Sequence, residues 1–308
     1  MKIRTMMKKI KPVAPIRIRL GNMQIQLGPV PKIEGVYIDD YSYTSKHRSS
    51  LRESKIGEIM DNWYADNKNE TIELVRKFCS FKEFYKNIPI RSPLASSPQW
   101  GNVWIPPLDA ISIYGFLAIH NPRYYVEVGS GNSTLFAAQA IRDHNLRTKI
   151  ISIDPFPREE IDKICDKIYR VPLEDMDIDF FSTLSAEDIL LVDNSHRSFP
   201  NSDVTVFFTE VLPKLPSGIL YTIHDICLPF DYPNPWPSSH YTKERWYNEQ
   251  YLLCAYLLGG ADGDKIICPN YFLGIENVIF KTCDSLWGKG ELFEGFGTYG
   301  GFFWLEKG

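Results

Sequence analysis

The chain of 308 residues contains no run of about 18 apolar residues, so nothing in it reads as a membrane-spanning helix. Its six cysteines, Cys79, Cys165, Cys227, Cys254, Cys268 and Cys283, form no Cys-x-x-Cys pair. They read as reduced, mostly buried thiols rather than a disulfide frame or a zinc site. A secretory leader needs a basic start followed by about 7–15 apolar residues, whereas here charges together with Pro12 and Pro15 interrupt the beginning. The expected compartment is the cytoplasm. There is no excess of positive charge either: the net charge is −4, so no overall field would draw the protein onto nucleic acid. Acids are missing only locally, before Glu34, where Lys2, Arg4, Lys8, Lys9, Lys11, Arg17, Arg19 and Lys32 form a basic arm. A solvated arm is the plain reading, and contact with a membrane surface or a polyanion is the alternative. No internal repeat or low-complexity tract is visible.

What is present suffices for one large core, with 44% hydrophobic and 14% aromatic residues. Residues 16–27 alternate strictly except at Gly21-Asn22, the pattern of a hairpin pairing Leu20 with Met23, Ile18 with Ile25 and Ile16 with Leu27. A lone hairpin is marginal, so its apolar face must cover the rest of the chain or a second subunit, which would make a homo-oligomer. Residues 50–87 carry helical stripes, one with Ile56, Ile59, Met60 and Trp63, another with Ile72, Val75, Phe78 and Cys79. Pro89, Pro93 and Pro98 then mark a linker. The expected division is an accessory region over 1–98 (basic arm, hairpin, helices) and a main domain over 99–308.

From about residue 106 short apolar strands alternate with helices. A helix opens at Pro106-Pro107 and carries Ile111, Tyr114 and Leu117. The strand Tyr124–Val128, a Gly-rich turn, a helix from Ser133 to His144 and the strand Lys149–Ile153 follow. Strands near Ile168–Val171, Ile189–Val192 and Ile219–Ile223 continue the series, with a helix from Asp203 to Leu215 before the last. Strands separated by helices of this length require parallel pairing with right-handed crossovers, hence a doubly wound α/β domain. A helix from Lys243 to Leu258 and strands near Lys265–Cys268 and Gly301–Leu305 close the chain.

The strand Tyr124–Val128 runs into Glu127-Val128-Gly129-Ser130-Gly131-Asn132-Ser133. Glycines admit a sharp turn and a close ligand, and amides at the helix start supply donors. A nicotinamide dinucleotide loop would have a third glycine or alanine where Thr134 stands, and Glu127 would crowd its pyrophosphate. A carboxylate there suits a cationic cofactor without phosphate, such as S-adenosylmethionine. Asp154 closes the next strand, about 20 positions on, where a carboxylate can accept both ribose hydroxyls or form the turn before Pro155. Glu174 or Asp175 can receive an adenine amine.

In this order Tyr125-Val-Glu-Val-Gly-Ser-Gly-Asn-Ser, Ile153-Asp154, Leu191-Val-Asp193 and Gly218-Ile-Leu resemble the successive motifs of class I S-adenosylmethionine-dependent methyltransferases. The resemblance covers about residues 106–306 and implies a seven-stranded, mostly parallel Rossmann-like sheet whose last two strands form an antiparallel pair. It also implies that 99–308 is the cofactor domain, with Glu127, Gly129, Ser130, Gly131, Ser133, Asp154 and Asp193 binding S-adenosyl-L-methionine. Asp193-Asn-Ser-His196, Leu212-Pro-x-Leu215 and His224-Asp225-Ile226 are similar to a bacterial branch linked to O-methylation of glycans, in polysaccharide biosynthesis, or of small molecules.

Ligands of open α/β sheets collect at the carboxyl ends of strands, so Glu127, Asp154, Asp193 and His224 are expected around one crevice. An alcohol acceptor needs a base or a Lewis acid before it can be methylated. His224, beside Asp225, is the candidate base as a neutral imidazole, with His196 a second candidate facing the same cavity; both can instead serve only as local hydrogen-bonding groups. Asp193, His196, His224 and Asp225 can also gather one divalent metal, although histidines in place of carboxylates argue against magnesium and metal dependence is not the favoured reading. Phe230, Tyr232, Trp236, Tyr241 and Trp246 either stack on an acceptor or pack the domain edge, and Glu249, Gln250 and Tyr251 are candidate acceptor contacts. The expected function is O-methylation of a sugar or small-metabolite hydroxyl. The alternatives are an NAD-dependent reductase or epimerase and a non-catalytic binding or scaffold subunit.

Overall fold

The computed structural model describes residues 16–20, 23–27, 49–94, 96–157, 159–233 and 247–308. Chain contacts divide it into two units between Ser45 and Lys46. In the first, β1 (Ile16–Leu20) pairs antiparallel with β2 (Met23–Leu27) in the expected register, Leu20 opposite Met23, Ile18 opposite Ile25 and Ile16 opposite Leu27.

The second unit begins with α1 (Lys55–Ser80), which buries Ile56, Met60, Val75, Phe78 and Cys79. The two expected stripes lie either side of a kink at Asn67, whose side-chain amide donates to the Trp63 carbonyl at 2.8 Å. The boundary expected at residue 98 falls inside this unit. The proline-rich stretch folds back instead of leading away: the Trp100 amide donates to the Pro89 carbonyl, its indole donates to the Tyr85 carbonyl, and both rings are buried.

Helix α2 (Pro107–His120) starts on Pro107, whose missing N–H would have had no helical partner, and is enclosed from Pro107 to Leu117. The alternation then proceeds as β3 (Tyr124–Val128), α3 (Asn132–His144), β4 (Lys149–Ile153), β5 (Lys167–Tyr169) and β6 (Ile189–Val192). Next comes a helix that is α over Asp203–Val206 (α4), π over Phe207–Val211 and 3-10 over Leu212–Lys214, where Pro213 tightens the last turn. After β7 (Leu220–Ile223) come α5 (Glu249–Leu258), β8 (Lys265–Pro269) and β9 (Phe303–Glu306).

The sheet order is β5-β4-β3-β6-β7-β9-β8. Pairs from β5 to β7 are parallel, and β9 enters antiparallel between β7 and β8. This is the expected seven-stranded, mostly parallel, doubly wound sheet with one strand antiparallel to its neighbours, and the chain reverses its winding between β3 and β6. The central strands are buried on both faces, which explains why they read as continuous apolar runs.

One expectation is corrected. Cys79 on α1 and Cys283 are paired as a disulfide across a sequence separation of 204 residues, bringing two helical segments together. The four other cysteines are free thiols, with Cys227, Cys254 and Cys268 buried. Among the described residues no helix is long and apolar enough to cross a membrane.

Candidate active site

At the reversal point β3 runs into the Gly129-Ser130-Gly131 turn. Gly129 has φ 77°, and a Cβ there would lie 1.8 Å from the Asp193 carbonyl oxygen. Glycine is therefore required first by the close pass of the chain leaving β6. The Ser130 and Phe156 amides each donate to the Asp154 carboxylate at 2.7 Å, so Asp154 fastens the loop to the end of β4. It forms the turn before Pro155 and faces the cavity as well.

Glu127 does not flank that cavity. Side-chain alternation along β3 turns it beneath the loop, fully buried, where its carboxyl accepts from the Tyr125 hydroxyl at 3.0 Å and from the Thr134 hydroxyl. Thr134 in turn accepts from the Gly131 amide at 3.0 Å. Burial pushes the Glu127 carboxyl up to about 7, against the pull of the Ser133, Thr134 and Tyr125 hydroxyls.

The hollow above the loop is a cavity of about 240 Å³, walled by Gly129 to Ser133, Asp154, Phe156, Leu173, Glu174 and Asp193. Glu174 lines it, and its Oε2 is buried with no hydrogen-bond partner. Asp175 faces a separate surface hollow beside Met176 and Phe180. Phe156, 87% exposed, stands at the cavity wall.

Asp193 belongs both to this wall and to a buried polar cluster. Its Oδ1 lies 3.2 Å from His196 Nε2 and 3.2 Å from His224 Nδ1. The opposite ring nitrogens also meet carboxylates: His196 Nδ1 lies 2.9 Å from Glu249 Oε2, and His224 Nε2 lies 3.3 Å from Asp109 Oδ2. Asp225 adds contacts of 3.5 Å to His196 Nε2 and 3.9 Å to His224 Nδ1. Burial would lower both imidazoles, but these carboxylates override it, raising His196 to about 10 and His224 well above its ordinary value. Burial likewise opposes the Asp193 charge, yet the two histidines hold its carboxyl well below the usual range. His224, expected as a neutral base, has both ring nitrogens against carboxylates, Nδ1 at Asp193 and Nε2 at Asp109.

The local backbone is shaped for this. The His224 amide donates to the Val192 carbonyl, continuing the β6–β7 ladder. His196 and Asp225 take left-handed φ of 61° and 54°, conformations that cost a non-glycine residue about 1 kcal/mol or more and that collect at sites. Asp109, in the first turn of α2, is held by the Gly301 and Phe302 amides at 2.6 and 3.0 Å and by Asn270 Nδ2 at 2.7 Å.

Phe230 and Tyr232 contact aromatic rings of their own chain, Tyr271 for the first and Tyr247 and Tyr251 for the second. Trp236, Tyr241 and Trp246 lie outside the described residues. Glu249 is inside the cluster, while Gln250 accepts from the Cys227 amide and Tyr251 donates to Asp231. The sequence reading missed Asp109 altogether. Its signal was an acid on the otherwise apolar α2.

Residues 126–226 match the family model for a methyltransferase domain. An uncharacterized protein of Archaeoglobus fulgidus is 30% identical over 83 residues, 25% of this chain and 38% of that one. The chain thus spans well under half the length of this curated relative. Among solved structures, an O-methyltransferase from Bacillus cereus in complex with S-adenosylhomocysteine is 12% identical, covering 80% of this chain and 100% of that one, with a TM-score of 0.36. The O-methyltransferase TomG from Streptomyces achromogenes, in complex with S-adenosylmethionine, is 11% identical over 80% and 98%, with a TM-score of 0.37.

Proposed function

We propose, from the methyltransferase domain that residues 126–226 carry, that the protein is an S-adenosylmethionine-dependent O-methyltransferase acting on a hydroxyl of a sugar or other small molecule. One observation carries the reading: Asp193 lines the cavity above the Gly129-Gly131 turn and also touches both histidines of the polar cluster. A cofactor in the first would face an acceptor at the second.

The Asp154 carboxylate, which keeps acceptor capacity beyond the two amides, suits ribose hydroxyls. The unpartnered Glu174 Oε2 suits an adenine amine, and Phe156 offers an aromatic face. The place of a third glycine is filled by Thr134, whose hydroxyl already binds Glu127 and the Gly131 amide, so the loop has no open backbone there for a pyrophosphate.

In the reaction the acceptor oxygen forms a bond to the methyl carbon as the sulfur–carbon bond breaks, leaving S-adenosylhomocysteine. The hydroxyl proton leaves toward the Asp225 carboxylate, since the two histidines make Asp193 a poor proton acceptor and every ring nitrogen of His196 and His224 already faces a carboxylate. The histidines hold those carboxylates in place as charged donors. Titration calorimetry of the full chain with S-adenosylhomocysteine tests the reading: saturable one-to-one heat is expected, and none at millimolar ligand would end it. Release of S-adenosylhomocysteine over a panel of sugars and other hydroxylated small molecules then identifies the acceptor class.

A further inference from the structure

Three neighbouring strands have one end level with His224, and the chain beyond each of those ends carries an aromatic ring. The order β7-β9-β8 puts these strands side by side, and the register sets Ile223, the last residue of β7, and Pro269, the last of β8, both opposite Phe303, the first of β9. Chain leaving β7 passes His224 and Asp225 and reaches Phe230, turned back by the bond from the Phe230 amide to the Cys227 carbonyl at 2.9 Å. Chain leaving β8 enters the short helix Asn270–Ile275, with Tyr271 in its first turn. Chain approaching β9 carries Tyr299 and crosses that helix at Gly274, where a Cβ would lie 2.4 Å from the Thr298 carbonyl oxygen. The rings meet in series, Phe230 with Tyr271 at 5.9 Å and Tyr271 with Tyr299 at 6.4 Å between centroids.

This row is tied to the polar cluster at two points. Asn270, next to Tyr271, donates from Nδ2 to Asp109 at 2.7 Å. Gly301, two residues after Tyr299, donates its amide to Asp109 Oδ2 at 2.6 Å, and its carbonyl accepts from the Ile226 amide at 2.9 Å. Asp109 in turn meets His224. The row is also open to ligand: Tyr299 is 42% exposed, Phe230 and Tyr271 are half-buried, and Ile275, four positions after Tyr271 on the helix, is exposed. Among the described residues neither tyrosine hydroxyl has a hydrogen-bond partner. Burial pushes the Tyr271 phenol up to about 12, with Cys227 and Tyr299 near it, so it stays a neutral donor.

Aromatic faces beside unengaged hydroxyls suit the C–H faces and the hydroxyls of sugars. The rings are inclined to one another by 62° and 57°, so a planar fused ring system cannot lie across more than one of them, whereas sugars joined by glycosidic bonds turn from one ring to the next. At about 4.8 Å per strand, the row from β7 to β8 spans about 10 Å, more than a single sugar covers. Charge points to a neutral ligand: Asp225 and Asp231 stand on the segment that carries Phe230, and Arg52, which lies over the Phe230 ring, is held by Asp61 and Glu276. We propose that Phe230, Tyr271 and Tyr299 form the acceptor platform, and that the acceptor is a neutral oligosaccharide of two or more sugars, one hydroxyl of which reaches Asp225. The inference rests on the proposed function, which supplies the methyl group to that hydroxyl.

The test applies the full-length chain to a glycan array of single sugars and of neutral, amino and acidic oligosaccharides, with the planar phenol quercetin as a comparison in solution. The expected result is binding to neutral glycans of two or more sugars, and little to their single sugars or to charged glycans. In calorimetry with the strongest neutral glycan, Tyr271→Ala and Tyr299→Ala should each bind about tenfold more weakly, and Tyr271→Phe, which keeps the ring, should lose less. Saturating the aromatic protons of the wild-type protein should transfer magnetisation to the C–H protons of the same glycan, which decides the point even where an alanine variant does not fold. The proposal is overturned if no neutral glycan binds, if single sugars, charged glycans or quercetin bind as well or better, or if the sugar protons receive no transfer. Unchanged affinity in both folded alanine variants would overturn it too. Calorimetry with S-adenosylhomocysteine separates the two ideas: cofactor heat without glycan binding defeats the platform alone, and glycan binding without cofactor heat defeats the methyltransferase reading alone.

Discussion

Glu127 titrates in the physiological range because it is buried, and its replacement by glutamine isolates that effect. Its carboxyl stands at about 7 against an ordinary value of 4.5. Between those values the folded state binds more protons than the unfolded chain, so stability contributed by this group is full below pH 4.5 and falls as pH rises to about 7. At about 1.4 kcal/mol per pH unit, that displacement amounts to about 3 kcal/mol. A glutamine side chain at this position would be uncharged throughout, and its amide can donate to the Thr134 hydroxyl while its carbonyl accepts from Tyr125. Urea unfolding of wild type and Glu127→Gln at pH 5, 6, 7 and 8 measures the difference directly, with the other titrating groups cancelling between the two proteins. The variant should match wild type within about 1 kcal/mol at pH 5 and exceed it by about 3 kcal/mol at pH 8. A difference that stays flat across that range would refute the argument that burial dominates the hydroxyl donors.

Gly129→Ala combines a left-handed φ with a Cβ 1.8 Å from the Asp193 carbonyl, so a loss of about 3 kcal/mol or more is expected in urea unfolding, with cofactor heat abolished. Asp154→Ala frees the Ser130 and Phe156 amides and removes the proposed ribose contact; calorimetry should show S-adenosylhomocysteine binding at least about tenfold weaker. Asp188, buried and remote from the cavity, accepts from Arg123, the Tyr124 and Ser185 amides and the Ser185 hydroxyl. Asp188→Ala should cost about 3 kcal/mol in thermal or urea unfolding while cofactor affinity in the surviving folded protein stays unchanged. Asp109→Asn sets an amide against the Gly301 or Phe302 N–H, with an expected loss of about 2 kcal/mol or more in urea unfolding.

The central strands were legible because parallel strands covered on both faces leave continuous apolar runs. Tyr124–Val128, Lys149–Ile153 and Ile189–Val192 begin and end where the sequence places them. β5 is an edge strand of three residues, one exposed and two half-buried, with little apolar signal, and its expected position near Ile168–Val171 is shifted relative to Lys167–Tyr169. The cavity-lining residues Gly129, Ser130, Gly131, Ser133, Asp154 and Asp193 sit on one continuous motif series and were found from it. Glu127 was misplaced, although Tyr125 two positions earlier shares its face and Thr134 follows the loop, both polar partners readable from strand alternation. Asp109 and Glu249 were beyond reach as partners, because they meet His224 and His196 across 115 and 53 residues, and no local spacing encodes such a contact. The same holds for Cys79 with Cys283, where scattered thiols in one dimension become neighbours only once α1 packs onto the C-terminal helices.

Asp193 is the mechanical joint of the site. Its amide donates to the Val128 carbonyl at 2.8 Å, its own carbonyl lies against Gly129, and its carboxylate reaches both imidazoles. The cavity wall and the polar cluster therefore share one residue whose backbone is fixed by the sheet, and neither can shift without the other. The proposed methyl transfer would gain from that arrangement, since an in-line displacement requires the acceptor oxygen about 3–3.5 Å from the methyl carbon, and an error of about 1 Å can cost a hundredfold in rate. For the proposed reaction, rigidity between the cavity and the cluster would supply that alignment before substrate arrives, and the left-handed φ at His196 and Asp225 is the local cost of fixing the cluster on the ends of β6 and β7.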